Sequence, residues 1–170
     1  KGGSGKMTWI DDFNITLQEL AENASSKNRL VFRTFTLQED LHISGLMEVD
    51  LRIAILNKTA ANLSVALVSL PWQNEEDLPI TANIISRGWA DPQNYRSISH
   101  TSELKEGEFH TLHFYLNPDD QIIPKGQQLA LVVFSSDQEF TLHPKPGTEL
   151  SLDLEHSQIS IPIVGGEEQF

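Results

Sequence analysis

The clearest periodic stretch of the chain is Met47 to Ile55. There Met47, Val49, Leu51, Ile53 and Ile55 alternate with Glu48, Asp50 and Arg52, the two-residue period of a strand with one wet face. Leu30 to Phe35 is rich in β formers, and Thr36 to Gly45 reads as a connection. After a turn at Asn57 to Asn62, Leu63 to Leu70 runs back, which predicts a hairpin with the preceding strand. Ile84-Ile85 reads as the end of a buried strand, and Asp91-Pro92 starts a turn. In Glu108 to Leu116, one face carries Leu112, Phe114 and Leu116 and the other Thr111, His113 and Tyr115.

Leu129 to Phe134 is apolar without alternation, as expected for a strand covered on both faces. Asn117-Pro-Asp-Asp120, Pro124-Lys-Gly126 and Pro144-Lys-Pro-Gly147 are turn signals. Phe140 to Leu142 reads as a short strand. Leu150, Leu152 and Leu154 then alternate with Ser151, Asp153 and Glu155, and Ile159, Ile161 and Ile163 close the series. One short helix is expected from a cap at Asn14 or Thr16 through Ala24, with Ile15, Leu17 and Leu20 as its apolar face. It is too short to stand alone, so it is expected across the outside of a sheet.

About eight short strands with turns between them predict an all-β, antiparallel β-sandwich with one short N-terminal helix. A jelly roll of the galactose-binding-like kind is the favoured topology, because two sheets then bury these alternating faces against each other. The expected division is a linker at 1–6, one domain at 7–165 and a tail at 166–170.

Composition narrows the partners. The formal charge is −12 with a pI near 4.8, which opposes nucleic-acid and anionic-membrane binding. No apolar run approaches the ~20 residues of a membrane span. The 170 residues contain no cysteine, which removes disulfides and thiolate chemistry and agrees with a reducing cytoplasm. The Asn-x-Ser/Thr sequons at Asn14, Asn23, Asn57 and Asn62 are read as chance matches.

Candidate chemistry is thin. Lys1 to Lys6 contains glycines and a serine, but Met7 follows Lys6 where a P-loop needs Ser or Thr, and no nucleophile elbow fits Ser4. His110 and His113 are three apart, hence on opposite faces of a strand. Asp119-Asp120 reads as turn residues rather than a glycosidic acid–base pair. Glu75-Glu76-Asp77 has carboxylates for a hard cation but no glycine-shaped cage. No cofactor is expected. Trp72, Trp89 and Tyr95 are the aromatics that could stack on a sugar or anchor a neighbouring domain.

Arg87 and Trp89 bracket a glycine, a pairing better suited to a packed contact surface than to a catalytic pocket. Here Arg87-Gly-Trp-x-Asp-Pro-Gln-Asn94, followed by Leu116-Asn-Pro-Asp-Asp120, Pro124-Lys-Gly126 and Ser135-Ser-Asp137, resembles the C-terminal domain of X-prolyl dipeptidyl aminopeptidases. The resemblance runs from about Leu37 to Val164. The cocaine-esterase and acylase group has a similar sandwich, but Asp91-Pro-Gln-Asn94 and Asp153 to Ile163 fit the peptidase branch better.

The resemblance implies a parent that is a cytoplasmic serine peptidase, usually a homodimer, releasing N-terminal dipeptides whose second residue is proline. In that family the Ser–Asp–His triad lies on an upstream α/β-hydrolase domain, so no catalytic residue carries over to this chain. The implied role is to pack on that domain, with Arg87, Trp89, Asp91, Tyr95 and Arg96 as candidate interdomain contacts. Three other readings stay open: an independent glycan- or surface-binding module, the equivalent domain of a cocaine-esterase/acylase-type hydrolase, and a free-standing hydrolase.

Overall fold

The computed structural model describes residues 5–73 and 83–169. Among the described residues ten strands are present: β1 Lys6–Ile10, β2 Leu30–Arg33, β3 Leu41–Gly45, β4 Glu48–Ile55, β5 Leu63–Leu70, β6 Ile84–Ala90, β7 His110–Tyr115, β8 Asp119–Ile123, β9 Gln128–Phe134 and β10 Glu149–Ser160. One α-helix, α1, spans Leu17–Glu22. The strands form sheets in the orders β1-β10-β4-β7 and β2-β9-β5-β6, with β3-β8 as a separate pair. Every pairing is antiparallel.

Setting β3 and β8 aside, successive strands cross from one sheet to the other at every step except β5 to β6. That is the jelly-roll path, and the sandwich expected from the sequence is the fold observed. The crossing explains why the predicted β4–β5 hairpin is absent. β4 pairs with β10 and β7, while β5 pairs with β9 and β6. Both strands face the same core from opposite sides, so their apolar periods match without their backbones pairing. Asn57 fixes the crossover by donating to the Gly147 carbonyl and accepting from the Glu149 amide.

Other elements differ from the periodic reading. β3 lies inside the expected connection, and β8 includes the expected turn residues Asp119 and Asp120. Both are short strands whose inner residues, Ile43 and Ile123, are fully buried. Phe140 to Leu142 is a turn region, and Ile84-Ile85 begins β6 rather than ending a strand. The Arg-Gly-Trp triplet therefore sits within a strand. β1 starts at Lys6, the last residue of the expected linker. After β10, Ile163 bridges to Ile43.

Between the sheets, Val49, Leu51 and Ile53 of β4 and Leu150 and Leu152 of β10 meet Val65 and Leu67 of β5 and Leu129 and Val133 of β9. A second apolar layer lies on the outer face of β9 and β5, where Ala66, Val68, Ala130, Val132 and Phe134 are covered by Leu17, Leu20 and Ala21 of α1. This is why β9 lacks alternation: it has a core on each side. Thr16 caps α1 with a reciprocal box, its hydroxyl oxygen accepting from the Glu19 amide while the Glu19 carboxylate accepts from the Thr16 amide. At the other end Arg29 donates to the Leu20 and Asn23 carbonyls, satisfying groups the helix leaves open. The helix stops at Glu22, two residues earlier than the expected end at Ala24.

Candidate interdomain site

β6 is an edge strand, and its register sets what each residue of the triplet faces. Arg87 lies opposite Ala66 and Trp89 opposite Ser64, on the outer face of the sheet; Gly88 lies opposite core residue Val65 and points inward. A Cβ on Gly88 would stand 2.7 Å from the Tyr115 carbonyl oxygen and 3.0 Å from the Leu116 Cα. That closeness lets the Asn117 amide donate to the Arg87 carbonyl at 2.8 Å and Ser86 donate to the Asn117 carbonyl. The two sheets meet at this edge through close backbone approach, the Ser86 hydroxyl and the Leu116 side chain.

On the outer face the Arg-Gly-Trp and Ser-Ser-Asp motifs meet. Arg87 Nη1 donates to both Asp137 oxygens at 3.3 and 3.4 Å and to Glu139 Oε2 at 2.6 Å. Trp89 Nε1 donates to Asp137 Oδ2 at 3.2 Å. Phe140 closes over the pair, its ring 4.8 Å from the guanidinium carbon and 5.1 Å from the Trp89 ring. Arg87 and Asp137 are 9% and 2% exposed. A buried charge survives only when paired and hydrogen-bonded, and here one carboxylate accepts from Arg87, from Trp89 and from the Glu139 amide.

The two serines anchor other elements. Ser135 Oγ accepts from Trp9 Nε1 of β1 at 3.0 Å, and its carbonyl accepts from Ser64. Ser136 donates through its amide and hydroxyl to the Asp11 carboxylate, both at 2.9 Å, and its hydroxyl accepts from Asn62. The tripeptide is a polar knot at the end of β9 that ties together β1, the approach to β5, and β6.

Burial pushes the Asp11 carboxyl above its ordinary value, opposed by the bonds from Ser136. A carboxyl with a raised folded value contributes its stability below the unfolded value and loses it as pH rises through the folded one. Asp11→Asn keeps an acceptor for the Ser136 amide and removes the charge. It is therefore expected to be less destabilised by a pH rise through the range just above the ordinary carboxylate value. Urea midpoints across that range check this; a pH slope equal to that of the unsubstituted chain would refute it.

The remaining candidates form a second group along the chain. Asp91 accepts from the Gln93 amide and caps the short 3₁₀ turn Pro92–Asn94. Gln93 in turn accepts from the Ala61 amide. Tyr95 packs its ring 4.0 Å from His110, and the exposed Arg96 lies 5.1 Å over the Tyr95 ring. The structure thus brings Arg87 and Trp89 into one cluster and Tyr95 and Arg96 into another, with Asp91 shaping the turn between them. Sequence reasoning missed Glu139 and Phe140, which complete the Arg87 cluster, and Asp11 and Trp9, whose partners are more than a hundred residues away.

Elsewhere, histidines pair with carboxylates on wet faces: His42 with Asp120 at 2.6 Å, His113 with Asp50 at 2.8 Å and Glu48 at 3.5 Å, and His156 with Asp153 at 3.0 Å. Among the described residues, no three His, Cys, Asp or Glu side chains are grouped to hold a metal ion. The Glu75-Glu76-Asp77 cation reading lies outside the described residues. Trp72 and Trp89 are half-buried, Trp72 against the α1 layer. No described helix is long and apolar enough to cross a membrane.

Residues 3–169 match the family model described as the X-Pro dipeptidyl-peptidase C-terminal non-catalytic domain. A putative Xaa-Pro dipeptidyl-peptidase of Rhodopirellula baltica is 50% identical over 159 residues, covering 94% of this chain and 25% of that protein. A putative Xaa-Pro dipeptidyl-peptidase of Bacillus cereus is 32% identical over 166 residues, covering 96% and 27%. The chain thus spans about a quarter of the length of these curated relatives. An α-amino acid ester hydrolase structure superposes with a TM-score of 0.73 at 16% identity, over 95% of this chain and 33% of that one, which is a likeness of fold. On the match across nearly its whole length and the identity to these relatives, this chain belongs to the X-Pro dipeptidyl-peptidase C-terminal non-catalytic domain family.

Proposed function

We propose that the chain docks on the upstream catalytic part of a serine X-prolyl dipeptidyl aminopeptidase, an enzyme releasing N-terminal X-Pro dipeptides, and supports its active-site entrance or assembly. The observation that carries this is an apolar surface on a fixed base. Phe140 and Leu142 are 60% and 86% exposed, yet the loop bearing them is held by Arg87, Trp89 and Asp137 beneath and by Asn62, which donates to the Leu142 carbonyl. Large apolar side chains presented on a rigid support fit a covered contact surface.

In this reading Arg87 is a brace rather than a contact. The contacts are the free edge of Trp89, Phe140 and Leu142, extended by Tyr95 and Arg96, while Asp91 sets the turn that presents the last two. A glycan-binding platform is less well supported, because Trp72, Trp89 and Tyr95 are each packed against their own domain. The family resemblance extends the proposal to a cytoplasmic, homodimeric parent enzyme.

In the full-length polypeptide, Phe140→Ser with Leu142→Ser is expected to weaken docking by about 2–3 kcal/mol, the scale of two exposed apolar side chains that become covered. The readout is the urea midpoint of this domain's unfolding in the full-length protein. A midpoint unchanged by the double substitution would remove the docking surface from this face.

A further inference from the structure

The sandwich is open along the side away from β6. Between β2, the edge strand of its sheet, and the second half of β10 lies a cleft of about 540 Å³. Its floor is made of core residues from both sheets, Leu51 and Leu67. Its mouth carries the half-buried Phe32, Leu131, Ile159 and Ile161. Protein interiors are close-packed, so a space of this size that reaches the central core leaves apolar surface to be covered.

Two features identify what covers it. First, both flanks are strand edges. Among the described residues, β2 has β9 on one side only, and β1 pairs with β10 only as far as Asp153, while β10 continues to Ser160 with β4 on its other side. Open edges beside an apolar groove suit an extended peptide, whose backbone pairs with the edge while alternate side chains fill the groove. Second, the chain enters the sheet at this place. The Gly5 carbonyl accepts from the amide of Leu154, a residue of the cleft wall. About three quarters of the length of the relatives lies outside the region this chain matches.

We propose that the cleft is filled by an extended apolar segment of the same polypeptide, N-terminal to Lys1, lying between β2 and the free edge of β10. This rests on the reading that the chain is the C-terminal part of a longer enzyme. The segment would lock the entry of the chain into the sandwich at the side opposite the Arg87–Phe140 surface, so the domain would be held at two edges.

The test is photo-crosslinking in the full-length protein with benzoylphenylalanine replacing Phe32, or Ile159 in a second variant, and replacing Phe140 in a separate arm. Peptides are mapped after mixing isotopically light and heavy chains. The expected result from position 32 or 159 is an intrachain cross-link to residues N-terminal to Lys1. Cross-links confined to residues 1–170, cross-links between light and heavy chains, or a small apolar molecule retained in native mass spectra without an upstream cross-link would each overturn the proposal. If position 140 reaches upstream residues while 32 and 159 do not, the cleft assignment fails and the docking surface stands. If none of the three reaches upstream residues, both fail.

Discussion

Asp137→Ala is expected to cost the folded domain about 3 kcal/mol, the lower end of the range for removing one partner of a buried ion pair. The lower end applies because Arg87 keeps Glu139, whose side chain is 61% exposed and so only partly compensates. What is lost is a carboxylate 3% exposed that accepts from the Arg87 guanidinium and the Trp89 indole together. Left behind are a guanidinium that is 10% exposed and a Trp N–H without its acceptor. The check is urea unfolding of the single variants and of Arg87→Met with Asp137→Leu. If the pair matters chiefly because one buried charge needs the other, the double variant recovers much of the loss. A single-variant loss below about 1 kcal/mol would place the pair with ordinary surface ion pairs and would contradict the reading of Arg87 as a brace.

Gly88→Ala is expected to be comparably damaging, and its sign is the informative part. In a strand with room for a methyl group, alanine in place of glycine stabilises by about 0.4–1 kcal/mol, because the unfolded chain loses more freedom with glycine. At Gly88 the added Cβ meets backbone, the Tyr115 oxygen at 2.7 Å and the Leu116 Cα at 3.0 Å, as well as the Leu116 side chain at 2.6 Å. A side chain can rotate away, but the backbone at the β6–β7 contact is held by the Asn117–Arg87 hydrogen bond. Overpacking of this kind costs about 1–3 kcal/mol, which exceeds the entropic gain. The variant is thus expected to unfold at lower urea by about 2 kcal/mol. A neutral or stabilised variant would show that the two sheets separate freely at this edge.

Much of this fold was legible in the sequence where one physical rule decided the pattern. β4 and β10 alternate because one face meets the core and the other water. β9 does not alternate, because α1 covers its second face. The sandwich, and the jelly roll as its favoured form, followed from the number and length of such strands. Pairing was not legible. β4 and β5 have complementary apolar periods because they face each other across the core, and periodicity records burial without recording which backbone completes the ladder. β3 and β8 were too short and too close to turn-forming residues to show a period.

The site was half legible. The Arg-Gly-Trp and Ser-Ser-Asp motifs were recognisable as units of a family, but their meeting depends on β9 and β6 both flanking β5. Arg87 was expected at a contact surface; it is buried, with the exposed Phe140 ring lying over its guanidinium. Burial of the Arg87 charge is tolerated because Asp137 pairs with it, and that partner is invisible in a local sequence window. Asp11 had no signal at all: an aspartate after a strand normally caps a turn, and only the fold brings Ser136 to it.

The most direct test of the account is a side-chain-resolution structure of the full-length polypeptide. In it, Phe140, Leu142 and the free edge of Trp89 are expected to be covered by residues N-terminal to Lys1, with the Arg87–Asp137 pair unchanged beneath them. Solvent around all three side chains, with the upstream part seated on another face of the sandwich, would contradict it.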